Sequence, residues 1–300
     1  MKILLLGGNG QVGHELRRSL APLGEVVVTT RDGSLADGAA CTALDLSELA
    51  DIAPLVERIA PDAVVNATAY TAVDRAEDER DAAFRINAEA VGVLAGACAR
   101  QRARLIHYST DYVFDGSATR PYREDDATAP VGVYGASKLA GEQAITASEA
   151  DHLILRTAWV YGLHGQNFLR TMLRVGAERD QLRVVADQVG SPTPAWLIAD
   201  ATATLLSNGW SEPGVRHLVA GGQTSWHGFA EAIFEQAIAA GLIQRRPSVE
   251  AISTAEYPTR AHRPAYSVLD TRRLTEDHGV SLPDWRHALE RTLQDASRHA

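Results

Sequence analysis

Short apolar runs alternate with longer amphipathic segments through the first half of the chain. The runs are rich in Val, Ile and Leu and cover residues 3–6, 25–30, 63–66, 105–109 and 153–157. Strands that are apolar on both faces, separated by helices of about 10–20 residues, are typical of a parallel sheet covered on both sides. The pattern predicts an α/β fold built on a Rossmann-type, doubly wound parallel sheet.

The segments between the runs predict helices. The first helix is expected over residues 11–20, directly after the first strand. A second helix should follow Asp45, with Ser47 as its N-terminal cap and Pro61 at its exit. Residues 74–101 carry Ala, Glu and Arg at helical density and predict one broken or continuous helix.

The regular alternation loosens after about Val160, where Pro, Gly and Trp become more frequent. We therefore expect a first domain over residues 1–160, joined by late elements near residues 195–220. Residues 161–300 are expected to form mainly a smaller, interleaved C-terminal domain. A chain of 300 residues with 45% hydrophobic residues can bury the core that such an arrangement needs.

Composition narrows the possible partners. The net charge is -9 and the sequence contains no run of basic residues, which argues against nucleic acid or an anionic membrane surface as a partner. No apolar run is expected to approach the roughly 18 residues of a membrane span. The first eight residues are too short for a signal peptide, so we expect a cytoplasmic protein that acts on small molecules.

The cysteines and histidines give little support for metal or disulfide chemistry. Cys41 and Cys98 fit reduced thiols better than a disulfide framework. The ten histidines show neither an HExxH motif nor paired Cys/His spacing. No metal site is predicted.

A glycine-rich turn follows the first predicted strand and opens the first helix. It reads Gly-Gly-Asn-Gly-Gln-Val-Gly over residues 7–13. Glycines at Gly7, Gly10 and Gly13 allow the backbone to turn sharply and approach a pyrophosphate, whose charge is stabilised by the helix N-terminus. The alternative is an ordinary tight turn, but its place after an N-terminal strand favours dinucleotide binding.

The next strand ends suggest the type of dinucleotide. Many NAD-binding proteins have an acid at the end of the second strand, whereas this chain has Arg31, which could meet a 2'-phosphate. We therefore expect NADPH, with NADH possible; Arg31 could also be a solvated loop charge. Asp45 and Leu46 could contact adenine, or Asp45 could cap a helix. The small residues around Ala67 and Ala69 leave room for the cofactor to pass.

Candidate catalytic residues follow the fifth apolar run. Thr110 and Asp111 end that run, where a doubly wound sheet places its ligands. Tyr134 and Lys138 lie four residues apart and so share a face of the next predicted helix. Lys138 is one of only two lysines, although the chain has 29 basic residues. A compact ammonium beside a phenol should lower the phenol pKa and let Tyr134 donate a proton to a carbonyl oxygen.

These motifs resemble the dTDP-4-dehydrorhamnose reductase family, in the extended branch of the short-chain dehydrogenase/reductase superfamily. The resemblance extends over nearly the whole chain and rests on GGNGQVG, VNATAYTAVDRAE, HYSTDYVFDG, VYGASKLAGE, LRTAWVYG, DQVGSPT, HLVAGG and RPAYSVLDT. It implies hydride transfer from a nicotinamide cofactor to C4 of dTDP-4-dehydro-β-L-rhamnose, giving dTDP-β-L-rhamnose for polysaccharide biosynthesis. It also implies NAD(P) binding by residues 1–160 and substrate binding mainly by residues 161–300.

The resemblance implies a role for each matching residue. Tyr134 would be the proton donor, Thr110 would tune it, and Lys138 would also bind the nicotinamide ribose. Substrate contacts are expected from Thr110, Asp111, Trp159 and Arg263, although Trp159 could be a core residue and Arg263 could shape a turn. The expected cofactor contacts are Gly7, Gly10, Gln11, Val12, Gly13, Arg31, Asp45, Leu46, Ala67, Ala69, Tyr70, Thr71, Tyr108, Tyr134 and Lys138.

The sequence departs from the family pattern at positions that affect the expected oligomeric state and the choice between alternative functions. Some members are described as metal-linked dimers built from glutamates. Glu15 matches one such position, but residues 195–197 read Ala-Trp-Leu where a Glu is expected. A monomer or weak homodimer without metal is therefore predicted. One alternative is a nucleotide-sugar dehydratase, which is disfavoured by Tyr112 in the place of a dehydratase glutamate. Others are a nucleotide-sugar epimerase, which would consume no NADPH, and a non-catalytic dinucleotide sensor.

Overall fold

A computed structural model describes residues 1–298 of the chain. The strands are β1 (Lys2–Leu6), β2 (Glu25–Thr30), β3 (Thr42–Ala43), β4 (Ala63–Asn66), β5 (Arg104–Thr110), β6 (His152–Thr157), β7 (Val160–Tyr161), β8 (Gln181–Val185), β9 (Val189–Gly190), β10 (Thr193–Pro194), β11 (Gly214–His217), β12 (Thr224–Ser225) and β13 (Ser248–Ile252). The helices are α1 (Gln11–Leu20), α2 (Leu49–Ile59), α3 (Val73–Ala76), α4 (Arg80–Phe84), α5 (Ala90–Gln101), α6 (Val133–Ala147), α7 (Phe168–Glu178), α8 (Ala195–Asn208), α9 (Trp226–Ala239), α10 (Arg272–His278) and α11 (Trp285–Arg298).

Seven parallel strands form the main sheet, in the order β11-β6-β5-β4-β1-β2-β3. The chain builds outward from β1 through β2 to β3, and then returns to add β4 on the other side of β1. The order therefore reverses between β1 and β4, where a doubly wound sheet opens a crevice for ligands. The predicted α/β class and doubly wound sheet are confirmed.

The apolar runs form strands because helices cover both faces of the sheet. On one face, α1 and α8 pack over Ile3, Leu5 and Val65. On the other face, α2, α5 and α6 cover Leu4, Leu6 and their neighbours. Burial of one such side chain contributes about 1.5–3 kcal/mol, which explains why each strand keeps apolar residues at both alternating positions.

Helix α2 begins later than predicted. Glu48 occupies its N-cap position and makes no side-chain capping bond, so the expectation of a Ser47 cap was wrong. The Ser47 backbone N–H and hydroxyl instead donate to Asp45 Oδ1, at 2.9 and 2.8 Å. Asp45 thus closes a tight turn before the helix, which competes with capping by either residue.

The helical segment predicted over residues 74–101 is broken, which is one of the two forms expected for it. Short helix α3 is followed by α4, a π-helical stretch over 85–89 and α5. The run over residues 80–101 is long and apolar enough to cross a membrane by length and composition, so the expectation that no run approaches this length was wrong. Its residues Val91, Leu94 and Cys98 belong to the core cluster under the sheet, and we assign it as a core helix.

The later elements build a second core beside the sheet. Tyr161, Leu169, Phe229 and Leu289 are among the residues of this cluster, which brings together α7, α9 and α11. Three two-stranded ladders surround it: β7 with β10, β8 with β13 and β9 with β12. Strand β11 returns to the main sheet beside β6.

Candidate active site

The glycine turn joins β1 to α1 with an open helix N-terminus. Gly7 has φ = +85°, and a Cβ there would lie 2.7 Å from Thr68 Oγ1. A Cβ on Gly13 would lie 2.0 Å from the Gly7 carbonyl oxygen, so only glycine lets α1 approach the turn this closely. Gly10 is the N-cap residue and provides no side-chain cap, which leaves backbone N–H groups available to an anion.

A cleft runs from this turn across the carboxyl ends of β1, β4 and β5. It consists of two adjoining cavities of about 490 and 370 Å³ that share Gly7, Asn9, Gly10, Thr68 and Ala69. The predicted residues that line it are Gly7, Gly10, Gln11, Val12, Arg31, Asp45, Leu46, Ala67, Ala69, Thr71, Tyr108, Tyr134 and Lys138. The cleft therefore lies at the reversal point of the strand order.

The smaller cavity is charged at its outer end. Arg31 is largely exposed there, with its Nε 3.8 Å from Asp45 Oδ2. Bonds from Ser47 to Asp45 lower the pKa of that carboxyl, which keeps it ionised. Leu46 is buried beside it. The cavity thus offers an exposed cation, a fixed carboxylate and an apolar wall, a combination suited to an adenosine with or without a 2'-phosphate.

The larger cavity brings together the predicted catalytic side chains. Tyr134 lies in the first turn of α6, and Lys138 lies one turn later on the same helix. The Thr110 hydroxyl, at the end of β5, donates to Asp111 Oδ1 at 3.0 Å and accepts from the Tyr112 backbone N–H. Burial raises the pKa of the Tyr134 phenol, and interaction with Thr110 opposes that rise.

Lys138 is held by strand β5 rather than by the tyrosine. Its Nζ donates to the Tyr108 carbonyl oxygen at 2.6 Å and lies 3.0 Å from His107 Nε2. Burial lowers the pKa of Lys138 to about 8. The expectation that Lys138 lowers the pKa of Tyr134 was wrong for this state of the protein, because desolvation of the phenol dominates and the side-chain nitrogen is directed to other partners.

Two buried hydroxyls on the cleft wall have no hydrogen-bond partner among residues 1–298. They are Ser109 Oγ and Thr157 Oγ1, at the ends of β5 and β6. Buried polar groups are normally paired, so these hydroxyls are suited to bind a ligand. Together with the open N-terminus of α1 and the glycine turn, they fit a nicotinamide dinucleotide that extends from Arg31 to Tyr134.

Asp111 is buried next to the catalytic candidates. It is 2% exposed, and its Oδ2 has no hydrogen-bond partner within 3.5 Å in the described part of the chain, although the Ser267 side chain helps to stabilise the ionised form. Burial raises its pKa to about 6. A buried carboxylate with a free oxygen can accept hydrogen bonds from hydroxyl groups of a sugar.

A cavity of about 300 Å³, separate from the cleft and called the second cavity below, lies between the C-terminal elements. Its walls are Phe168, Met172, Arg183, Val184, Val185, Gln188, Trp226, Tyr257, Thr259 and Arg263. Arg263 Nη2 pairs with Asp74 Oδ2 at 2.9 Å, and its Nε has no partner within residues 1–298. Tyr112 connects the two regions, because its ring lies 5.8 Å from the Tyr134 ring and its phenol interacts with Arg263.

Trp159 does not line that cavity itself but contacts Trp226, which does. Its ring stacks on Trp226 with centroids 3.5 Å apart and an angle of 3° between the planes. The backbone of Trp159 has φ = +48°, a conformation that costs energy for a bulky residue. Gly190 contacts the ring so closely that a Cβ there would lie 2.5 Å from it. The residue is therefore held against Trp226, and it is partly buried beside a core cluster that includes Phe114 and Ala158.

Three predicted cofactor contacts have other structural roles here. Gly13 supports the turn from below, as described above. The Tyr70 hydroxyl donates to Glu79 Oε2 at 2.6 Å, and this residue is not on the cleft wall. Tyr108 contributes its backbone carbonyl to Lys138, while its hydroxyl bonds with Thr202 Oγ1 in the core at 2.7 Å.

Several site residues were missed by the sequence analysis. Asn66 could have been found, since it ends β4 at the reversal point, whereas His107 lies inside β5 and carries no such signal. Trp226, Arg183 and Gln188 carry no local signal, because they reach the second cavity only through the packing of the C-terminal elements. No group of three or more potential metal ligands occurs in residues 1–298; Glu15 lies 3.5 Å from Arg18.

Comparison with known proteins agrees with this geometry. The family model described as the RmlD substrate binding domain matches residues 1–298. The dTDP-4-dehydrorhamnose reductases of Burkholderia thailandensis and Shigella flexneri are 48% and 45% identical to this chain, and each alignment covers at least 98% of both proteins. The crystal structure of dTDP-4-dehydrorhamnose reductase from Bacillus anthracis in complex with NADP has a TM-score of 0.89 at 34% identity, covering 98% of this chain and 99% of that one. The chain therefore belongs to the dTDP-4-dehydrorhamnose reductase family.

Proposed function

We propose that this chain reduces the C4 keto group of dTDP-4-dehydro-β-L-rhamnose to give dTDP-β-L-rhamnose, with NADPH or NADH as the hydride donor. The observation that carries the proposal is that Tyr134 and Lys138 line a dinucleotide-shaped cleft at the reversal point of the sheet, with the Thr110 side chain interacting with Tyr134. Family membership supports the same reaction, as does the NADP in the related crystal structure.

Tyr134, Thr110 and Lys138 would each have a distinct role in the reduction. Bound NAD(P)H supplies hydride to the carbonyl carbon. Tyr134 donates its proton to the carbonyl oxygen, and its raised pKa keeps the phenol protonated before the reaction. Thr110 would orient that oxygen by turning its hydroxyl from Asp111 Oδ1, its acceptor in the ligand-free protein, to the substrate. Lys138 would bind the cofactor ribose and govern the supply of protons to Tyr134.

The second cavity is the proposed site for the nucleotide of the substrate. The stacked indoles of Trp159 and Trp226 offer an aromatic surface for the base. Arg263 has one N–H to spare, and Arg183 lines the same cavity, so two cations can meet a diphosphate. Asp111 would accept from a sugar hydroxyl. By this proposal residues 1–160 chiefly hold the cofactor, and residues 161–300 chiefly hold the substrate.

The proposal extends to surroundings and assembly. We propose a cytoplasmic monomer or weak homodimer. Both cysteines are unpaired thiols, which suits a reducing compartment. Glu15 lies beside Arg18, and Trp196 stands near the position where the metal-linked dimers carry a glutamate, its indole bonded to Thr292.

The test is consumption of NADPH with dTDP-4-dehydrorhamnose, measured against the UDP and GDP analogues. Tyr134→Phe should reduce turnover by about 10²–10⁴-fold while NADPH binding persists, since only the proton donor is lost. Tyr122→Phe is the matched control, because its hydroxyl bonds to Asp115 and does not line the cleft. Normal turnover in Tyr134→Phe would refute the assignment, and binding without turnover in the wild type would favour a dinucleotide sensor.

A further inference from the structure

Lys138 has an unusual environment on its buried side. The side chain is 2% exposed, and its Nζ contacts only the Tyr108 carbonyl oxygen and His107 Nε2 among the hydrogen-bonding groups of residues 1–298. His107 is fully buried, with none of its surface exposed. The hydrogen on this histidine must therefore be accounted for by protein groups.

The hydrogen bonds of Asn66 fix which nitrogen of His107 carries the proton. The Thr68 backbone N–H donates to Asn66 Oδ1 at 3.0 Å, which sets the orientation of the amide. The amide nitrogen, Nδ2, then faces His107 Nδ1 at 3.1 Å. An amide nitrogen can only donate, so His107 Nδ1 must accept.

His107 is neutral, because burial and the neighbouring Lys138 both hold its pKa well below the usual value. A neutral imidazole with an accepting Nδ1 carries its hydrogen on Nε2. That hydrogen points at Lys138 Nζ, 3.0 Å away. If Lys138 is an uncharged amine, its lone pair can accept this hydrogen, and one of its own hydrogens can still be donated to the Tyr108 carbonyl. An ammonium has no lone pair, so its N–H groups would face the His107 N–H, a repulsive contact between two donors.

No other placement of these hydrogens avoids a contact between two donors. Placing the histidine hydrogen on Nδ1 would set it against the Asn66 amide hydrogens, and turning the amide would set those hydrogens against the Thr68 N–H. A buried unpaired donor is costly wherever it lies. The chain of bonds from Thr68 to Tyr108 is complete only when the lysine is an amine.

The charges around Lys138 do not compensate for this. Glu142, one turn further along α6, raises the pKa of Lys138 but less than burial lowers it. Both oxygens of that carboxylate already accept from Arg156 of β6, at 2.9 and 2.7 Å. On the cleft side, Tyr134 is a neutral phenol. No carboxylate forms an ion pair with Lys138 in residues 1–298.

We infer that the Asn66–His107 pair is a positioning device that shifts the protonation equilibrium of Lys138 toward the amine, so that the lysine gives up a proton readily. The inference deepens the proposed function and rests on it for its catalytic meaning. After Tyr134 has passed its proton to the substrate oxygen, an N–H bond of the Lys138 ammonium breaks, water in the cleft carries that proton, and the O–H bond of Tyr134 re-forms. The amine left behind accepts from His107, and water later restores its proton.

Nuclear magnetic resonance on ligand-free protein tests the inference in the wild type. Labelled lysine gives only two side-chain signals, since the chain has two lysines, and Lys2→Arg assigns them. Lys138 should titrate near pH 8, and the ¹⁵N shifts of His107 should show hydrogen on Nε2. Hydrogen on Nδ1, or titration of Lys138 in the ordinary lysine range, would overturn the inference. These measurements need no sugar nucleotide, so their outcome does not depend on whether the protein is a reductase.

Two substitutions at His107 separate positioning from simple packing. Glutamine offers an amide oxygen that can accept from an ammonium, so His107→Gln should raise the midpoint of Lys138 by about one pH unit or more. Leucine offers no acceptor, so His107→Leu should leave the midpoint low or lower it further. The basic limb of the pH–rate profile should move with the midpoint in His107→Gln. Equal shifts in both variants would contradict the inference.

Discussion

Asp111 combines nearly complete burial with an unpaired oxygen, and its replacement by asparagine tests the electrostatics of the site. Its pKa is raised from 3.8 to about 6 by burial. A shift of about two units at about 1.4 kcal/mol each makes the ionised carboxylate cost about 3 kcal/mol of folding free energy. The Asp111→Asn variant would keep an oxygen for the Thr110 hydroxyl and remove the buried charge.

The effect has a definite pH window. Below about pH 3 the carboxyl is largely protonated in both the folded and unfolded states, so its burial costs almost nothing. Above about pH 7 it is ionised in both states, and the full cost is present. Because the folded pKa is the higher one, Asp111 makes the wild type lose stability as the pH rises through this window.

Urea unfolding at pH 4.5 and pH 8 measures the difference. We expect Asp111→Asn to raise the free energy of unfolding by about 1 kcal/mol at pH 4.5 and about 3 kcal/mol at pH 8. Glu235→Gln, at an exposed position in α9, is the control and should change it by less than about 0.5 kcal/mol at either pH. An Asp111→Asn effect that is equal at both pH values, or destabilising at pH 8, would refute the reasoning. Activity should fall, since the charge is proposed to bind substrate.

Three further substitutions address the cleft and its support. Gly13→Ala adds a Cβ 2.0 Å from the Gly7 carbonyl oxygen and should weaken NADPH binding at least about tenfold, as measured by fluorescence titration. Gly96→Ala is the control and should leave NADPH binding unchanged, because the nearest atom to its added Cβ is 3.6 Å away. Glu142→Ala strands a buried guanidinium and should cost about 3–5 kcal/mol in urea unfolding, with recovery when Arg156 is also replaced by Met. Arg31→Ala should raise the KM for NADPH more than that for NADH in steady-state assays, and equal changes would refute a 2'-phosphate contact.

The local part of the fold could be predicted from sequence because its causes are local. Strands β2 and β4 and helix α1 have the predicted bounds, since apolar runs and glycine breaks are visible in a few consecutive residues. The four-residue spacing from Tyr134 to Lys138 places both on the cleft wall, because helical periodicity alone sets that relation. Helix α2 was misjudged at its start, because Ser47 donates to Asp45 in a tight turn instead of capping the helix.

The class of sheet, the glycine turn and the order of the candidate catalytic residues could all be read along the chain. The hydrogen-bond chain from Lys138 through His107 to Asn66 could not, since His107 and Asn66 lie on neighbouring strands and are 41 residues apart. The same holds for Trp226 against Trp159, and for Arg263 against Asp74, 189 residues away. Burial then reversed the expected direction of the Tyr134 pKa, because desolvation depends on all the elements that enclose a group and not on its neighbours in the chain.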